Sequence, residues 1–163
     1  MIETYWLEPS DERWHGYLQG LEHDIYHLPE YVRISAEQTG AEARAFIARD
    51  GDALFFVPLL LRPLPEALGA PATWRDATTP YGYPCPLFSS TSADTTRRLS
   101  LGGVHLRAAR ERDIVSVFCR LHPLLSSPTD ALAEIGHLRH HGQTVYIDTG
   151  LDARDAPVRA SRK

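Results

Sequence analysis

The run Glu42-Ala-Arg-Ala-Phe-Ile-Ala-Arg49, then Asp50-Gly51, then Leu54-Phe-Phe-Val-Pro-Leu-Leu-Leu61 decides the fold class. Asp-Gly between two segments of strand length signals a β-hairpin, because both residues accept the positive φ of a tight turn. The second arm carries Pro58, which removes one ladder donor, so that arm is expected to bulge or to lie at a sheet edge there.

Helices are expected on both sides of this hairpin. Upstream, Ser10 is placed to cap a helix with Asp11 and Glu12 in its first turn and Trp14, Leu18 and Leu21 at helical spacing. A second helix starts at Pro29, where a missing amide does no harm, and runs through Tyr31, Val32 and Ala36 to a stop near Gly40. Downstream, residues 93–112 read as a helix with a kink or break at Gly102-Gly103, since each glycine costs about 1 kcal/mol relative to alanine. Residues 114–121 alternate as a strand, with Val115, Val117, Cys119 and Leu121 on one face. A short helix over 129–140 and a last strand over 144–148 follow, and 151–163 reads as a mobile tail or severed linker after a single domain spanning 1–150. The order of elements predicts an α/β (α+β) architecture, a central mixed sheet covered by helices.

Composition narrows the function classes. The 163 residues hold 43% hydrophobic and 23% charged side chains, the balance of an ordinary globular domain. Twenty-one acids against 17 bases give a net charge of -4, with no excess of cations for a phosphate backbone, so DNA is not an expected partner. The amino terminus lacks the basic start and apolar run of a signal peptide, and no apolar stretch reaches membrane-spanning length, so a cytoplasmic protein is expected. Cys85 and Cys119 have no C-x-x-C spacing and are expected to be free thiols, Cys119 as a small core residue. The one lysine is Lys163, which leaves arginine to serve any anionic ligand. His137 and His141 are a helical turn apart, but no carboxylate or thiol completes a ligand set, and no metal is assigned.

The chemistry concentrates in Arg75-Asp76-Ala-Thr-Thr-Pro-Tyr-Gly-Tyr-Pro-Cys-Pro86. Three prolines fix torsions, Gly82 permits a positive φ, and Tyr81 and Tyr83 are thereby held with hydroxyls available to a ligand, Asp76 orienting the loop or the ligand. The same pattern fits a packing role, in which the tyrosines plug the core edge and Asp76 caps a turn. Arg120 and His122 emerge at a strand end before Pro123, the first suited to holding a carboxylate or phosphate and the second to moving a proton. A surface arginine and a histidine satisfied by a carbonyl would look the same.

Asp76-Ala-Thr-Thr-Pro-Tyr-Gly-Tyr-Pro84, preceded by Tyr26-His-Leu-Pro-Glu-Tyr31 and followed by Phe118-Cys-Arg-Leu-His-Pro-Leu-Leu125, resembles the first half of FemAB-related acyl- or aminoacyltransferases of the GNAT superfamily. The resemblance implies a GNAT-like, mostly antiparallel sheet, and two such halves sharing a cleft between an acyl or aminoacyl donor and an amine acceptor. It also implies substrate-binding roles for Asp76, Tyr81, Tyr83, Arg120 and His122. Cys85 stands where the family's Tyr-Pro-Gly-Pro run has glycine, and the chain stops where the second half would begin. A homodimer mate or a separate second half is therefore the expected partner, with a small molecule or a cell-envelope precursor as substrate. Acetyl-CoA or another acyl donor follows from the superfamily alone, because Gly102-Gly103-Val-His does not make a pyrophosphate loop at a helix start. The alternatives are a stand-alone N-acetyltransferase acting on a small amine, and a non-catalytic binding domain or truncated remnant.

Overall fold

The computed structural model describes residues 1–89, 95–146 and 159–161. The expected Ala93 start of the third helix, the Asp148 end of the last strand and most of the expected tail lie outside them.

The predicted hairpin forms, with β2 (Glu42–Asp50) and β3 (Ala53–Pro63) paired antiparallel in one continuous register and Gly51 at φ 62° in the turn. A strand that the sequence reading missed, β1 (Glu3–Leu7), pairs antiparallel with β2. Only Leu7 in it is fully buried, so the segment has no clean alternation to betray it. On the far side of β3 lie β4 (Arg75–Thr78) and the two-residue β5 (Leu87–Phe88), both antiparallel to it, and β6 (Ile114–Phe118) closes the sheet parallel to β4. The result is the mixed, mostly antiparallel sheet covered by helices that the sequence predicts.

Helices cover both faces. On one, Trp14 and Leu18 of α1 (Arg13–Leu18) and Val32 and Ala36 of α2 (Pro29–Thr39) pack with Ala45, Ile47, Phe56 and Leu60. On the other, Leu101, Ala108 and Ala109 of α3 (Thr95–Arg110) pack with Phe46, Ala48, Phe55, Val57, Leu59 and Leu61. The strand β3 thus serves two cores at once, which is why its sequence is a continuous apolar run. The helix α2 ends as expected on Gly40 in the left-handed region, φ 66°.

Several expectations are corrected. The first helix begins at Arg13, and the Asp11 carboxylate, not the Ser10 hydroxyl, accepts its first amide at 3.0 Å. Through Gly102-Gly103, α3 runs unbroken, because Gly102 faces α4 (Thr129–Ile135): a Cβ there would sit 2.6 Å from Ile135 Cδ1. Close helix contact outweighs weak propensity at that point. The fourth helix stops at Ile135, so His137, His140 and His141 lie beyond it, exposed, and are not a turn apart on a helix.

Alternation also fails in β6. The register slips between Arg75↔Ile114 and Asp76↔Ser116, making Val115 the extra residue of a bulge. Ile114 is therefore buried in the same core that Val117 and Cys119 reach, while Val115 is 48% exposed. The strand ends at Phe118 instead of Leu121. Finally, Arg159–Ser161 in the expected tail forms β8, antiparallel to β7 (Thr144–Tyr146).

Candidate functional site: the 79–86 loop and its supports

Pro80, Pro84, Pro86 and Gly82 break up the stretch 73–90, yet β4 and β5 lie within it. Both belong to one lane beside β3. The chain leaves that lane at Thr78, opposite Leu60, and rejoins it at Leu87, opposite Phe56, so residues 79–86 loop out where β3 advances only through 57–59. Pro58 falls in this gap while pairing with Ala45 of β2 in unbroken register. Neither bulge nor edge is needed, because the proline's missing donor falls where one flank of the strand is already open.

Burial along the loop has a simple pattern. Thr79, Pro80, Gly82, Pro84, Cys85 and Pro86 are buried, whereas Tyr81 is 79% exposed and Tyr83 41% exposed. The prolines and the cysteine plug the gap in the lane, and the two tyrosines point out. Gly82 makes this possible, with φ 101° and a position so close to Tyr26 that a Cβ would lie 2.4 Å from its ring. Among the described residues neither Tyr81 nor Tyr83 finds a hydrogen-bond partner for its hydroxyl.

Buried polar groups hold the loop from beneath. Asp24 opens a short 3-10 turn, Ile25–His27, its carboxylate accepting the Tyr26 amide at 2.9 Å. His27, fully buried, accepts the Asp24 amide on Nδ1 at 3.3 Å and donates from Nε2 to the Cys85 carbonyl at 3.1 Å. That pattern fixes the neutral tautomer, in keeping with burial holding its pKa below the usual histidine value. The Trp14 indole donates to the His27 carbonyl at 2.9 Å, tying α1 to the same turn. Tyr31 donates its hydroxyl to the Tyr81 carbonyl at 3.0 Å.

His122 plays the matching part on the other side. Its Nδ1 accepts the amides of Leu124 and Leu125 at 3.0 and 2.9 Å, so the proton is on Nε2, which donates to Asp24 at 2.7 Å. With both nitrogens engaged and the residue buried, it acts as a staple between residues 121–125 and the Asp24 turn. Thr79 joins the loop to the end of β6: its amide donates to the Phe118 carbonyl at 2.9 Å, and its hydroxyl accepts the Arg120 amide at 3.3 Å. The Arg120 side chain then lies over the rings of Tyr81 and Phe118, 5.4 and 6.0 Å from their centroids.

Tyr81, Tyr83, Arg120 and His122 are therefore brought together, the Tyr83 and His122 rings meeting edge to face at 6.1 Å. Asp76 is not among them. It sits on β4 opposite Arg62 of β3 and accepts a two-pronged ion pair from that guanidinium. Sequence reasoning missed Asp24 and His27, whose only signal was their place in and beside the Tyr26 to Tyr31 stretch.

No family model matches the chain, and no curated protein matches it. A solved structure of a ribosomal-protein-alanine N-acetyltransferase from Brucella melitensis biovar Abortus 2308 is similar over 90% of this chain and 99% of its own, with 17% sequence identity and a TM-score of 0.47.

Both thiols are poor nucleophiles. Burial pushes Cys85 above its ordinary value, and the buried hydroxyl of its neighbour Ser127, a partly exposed residue, has no partner in hydrogen-bonding geometry. Part of Cys119 reaches the surface, but its thiol lies within the core, and burial pushes it up to about 12. Two open cavities, about 460 and 370 Å³, lie elsewhere, one against Arg33, Glu37 and Arg44, the other against Glu42, Arg75 and Arg112. No group of three metal-ligating side chains occurs among the described residues, and no described helix is long and apolar enough to cross a membrane.

Proposed function

We propose that the chain is the substrate-recognising half of an acyl- or aminoacyltransferase of the FemAB-related type, and that a second half or dimer mate completes its site. The observation that carries this reading is the shape of the 79–86 loop. Its two tyrosines stand outward on a stiff, polar-stapled backbone beside Arg120, yet neither cavity adjoins them. One wall of a cleft fits that description, and the resemblance of the three motifs supplies the reaction class. On this reading Tyr81, Tyr83 and Arg120 touch the ligand, while His122, Asp24 and His27 position them. The Asp76 carboxylate is committed to Arg62 and has no part in it.

The gap in the lane beside β3 bears on the donor. Val57 and Leu59 are fully buried there, and the prolines fill the space, so no free strand edge is left for an extended thioester arm. Sedimentation velocity and calorimetry with acetyl-CoA test the proposal together. Dimers or larger species, with no acetyl-CoA binding by the chain alone, are expected. A strictly monomeric chain that binds acetyl-CoA at micromolar concentration would overturn it in favour of a stand-alone N-acetyltransferase.

A further inference from the structure

Arg120 differs in its partners from the five arginines that form ion pairs among the described residues. Arg13, Arg33, Arg44, Arg62 and Arg75 each pair with a carboxylate. Arg120 has no carboxylate among the described residues and lies instead over two exposed rings, Tyr81 and Phe118. Its guanidinium carbon stands 5.4 and 6.0 Å from those ring centroids, and among the described residues no hydrogen bond engages its N–H groups, so the planar fork that matches a carboxylate is unused. Its backbone is fixed as well, through the Thr79 hydroxyl, and Tyr81 is fixed through the Tyr31 hydroxyl. Asp24, the acid beneath the loop, is engaged by His122 and by the Tyr26 amide.

From this geometry we infer that Arg120, lying over Tyr81 and Phe118, is a carboxylate-binding subsite, so that the ligand of this wall carries a free carboxylate. The inference rests on reading the 79–86 loop as a ligand wall and adds the chemical class of what it holds. The unpaired Tyr81 hydroxyl stands ready to donate to the same group.

The test is a titration of the ¹⁵N-labelled chain followed at the arginine Nε–H resonances, with N-acetylalanine, N-acetylalaninamide and inorganic phosphate as probes. A saturable shift of the Arg120 signal with the acid and none with the amide is expected, and Arg120→Lys, which keeps the charge and loses the fork, should weaken the acid at least tenfold. No saturable shift, an equal shift with the amide, an unchanged affinity in the lysine variant, or tighter binding of phosphate would each overturn the inference. Binding is read without any transfer step. Carboxylate binding in an assembly that never transfers an acyl group would therefore overturn the transferase proposal alone, whereas transfer unaffected by Arg120→Lys would overturn this one alone.

Discussion

His27 and His105 are both buried histidines, one on each face of the sheet, and their surroundings differ in kind. His27 has a partner on each nitrogen, and both bonds shape the turn beneath the 79–86 loop. His105 of α3 is 5% exposed among the rings of Trp6, Phe46 and Phe55, and its Nε2 has no partner. A bonded buried polar group specifies geometry, whereas an unbonded one only lowers stability. The α1/α2 face therefore uses its polar groups to present a surface feature, and the α3 face carries a titratable weakness.

Substitution at Gly82 breaks this contrast most severely. Gly82→Ala must take a φ of 101° and displace the Tyr26 ring, which is itself packed edge to face on Tyr31 and Tyr83. Backbone strain and overpacking together should cost about 4 kcal/mol, read by chemical denaturation.

The opposite face responds to acid. Burial holds the His105 pKa down at about 4 against 6.5 for an open chain, so the unfolded state takes the proton first. Above about pH 6.5 His105 carries no protonation penalty, and stability is lost progressively as pH falls toward 4, by about 3 kcal/mol. His105→Leu should flatten that part of the stability profile measured between pH 7 and 4. A slope unchanged in the variant would assign the acid sensitivity to other groups.

Losing a staple is a smaller effect. Removing the His122 ring in His122→Ala strips the amides of Leu124 and Leu125 and the Asp24 carboxylate of their partner, at about 2 kcal/mol. The signature that separates a staple from a proton carrier is an amide-exchange rate at Leu124 and Leu125 that rises in the variant.

The sequence was informative where periodicity or turn chemistry acts locally. The hairpin followed from Asp50-Gly51, and α2 followed from Pro29 and Gly40. Alternation misled at β6 because one bulged residue, Val115, reverses the facing of everything after it, and a bulge is set by the partner strand β4, which local sequence does not show. Gly102 looked like a helix breaker because its reason, Ile135, lies on another helix. In the site, the outward tyrosines could be proposed from prolines and a glycine. Asp24 and His27 could not, since their bonds span 58 residues to Cys85 and 98 to His122.

The double variant Tyr81→Phe/Tyr83→Phe, compared with the parent in a denaturant titration, tests most directly whether the loop is stapled from below and open above. Both hydroxyls face outward without partners, so stability should stay within about 0.5 kcal/mol of the parent. A loss of about 0.5–1.5 kcal/mol per hydroxyl would show them bonded within the fold and would contradict the account.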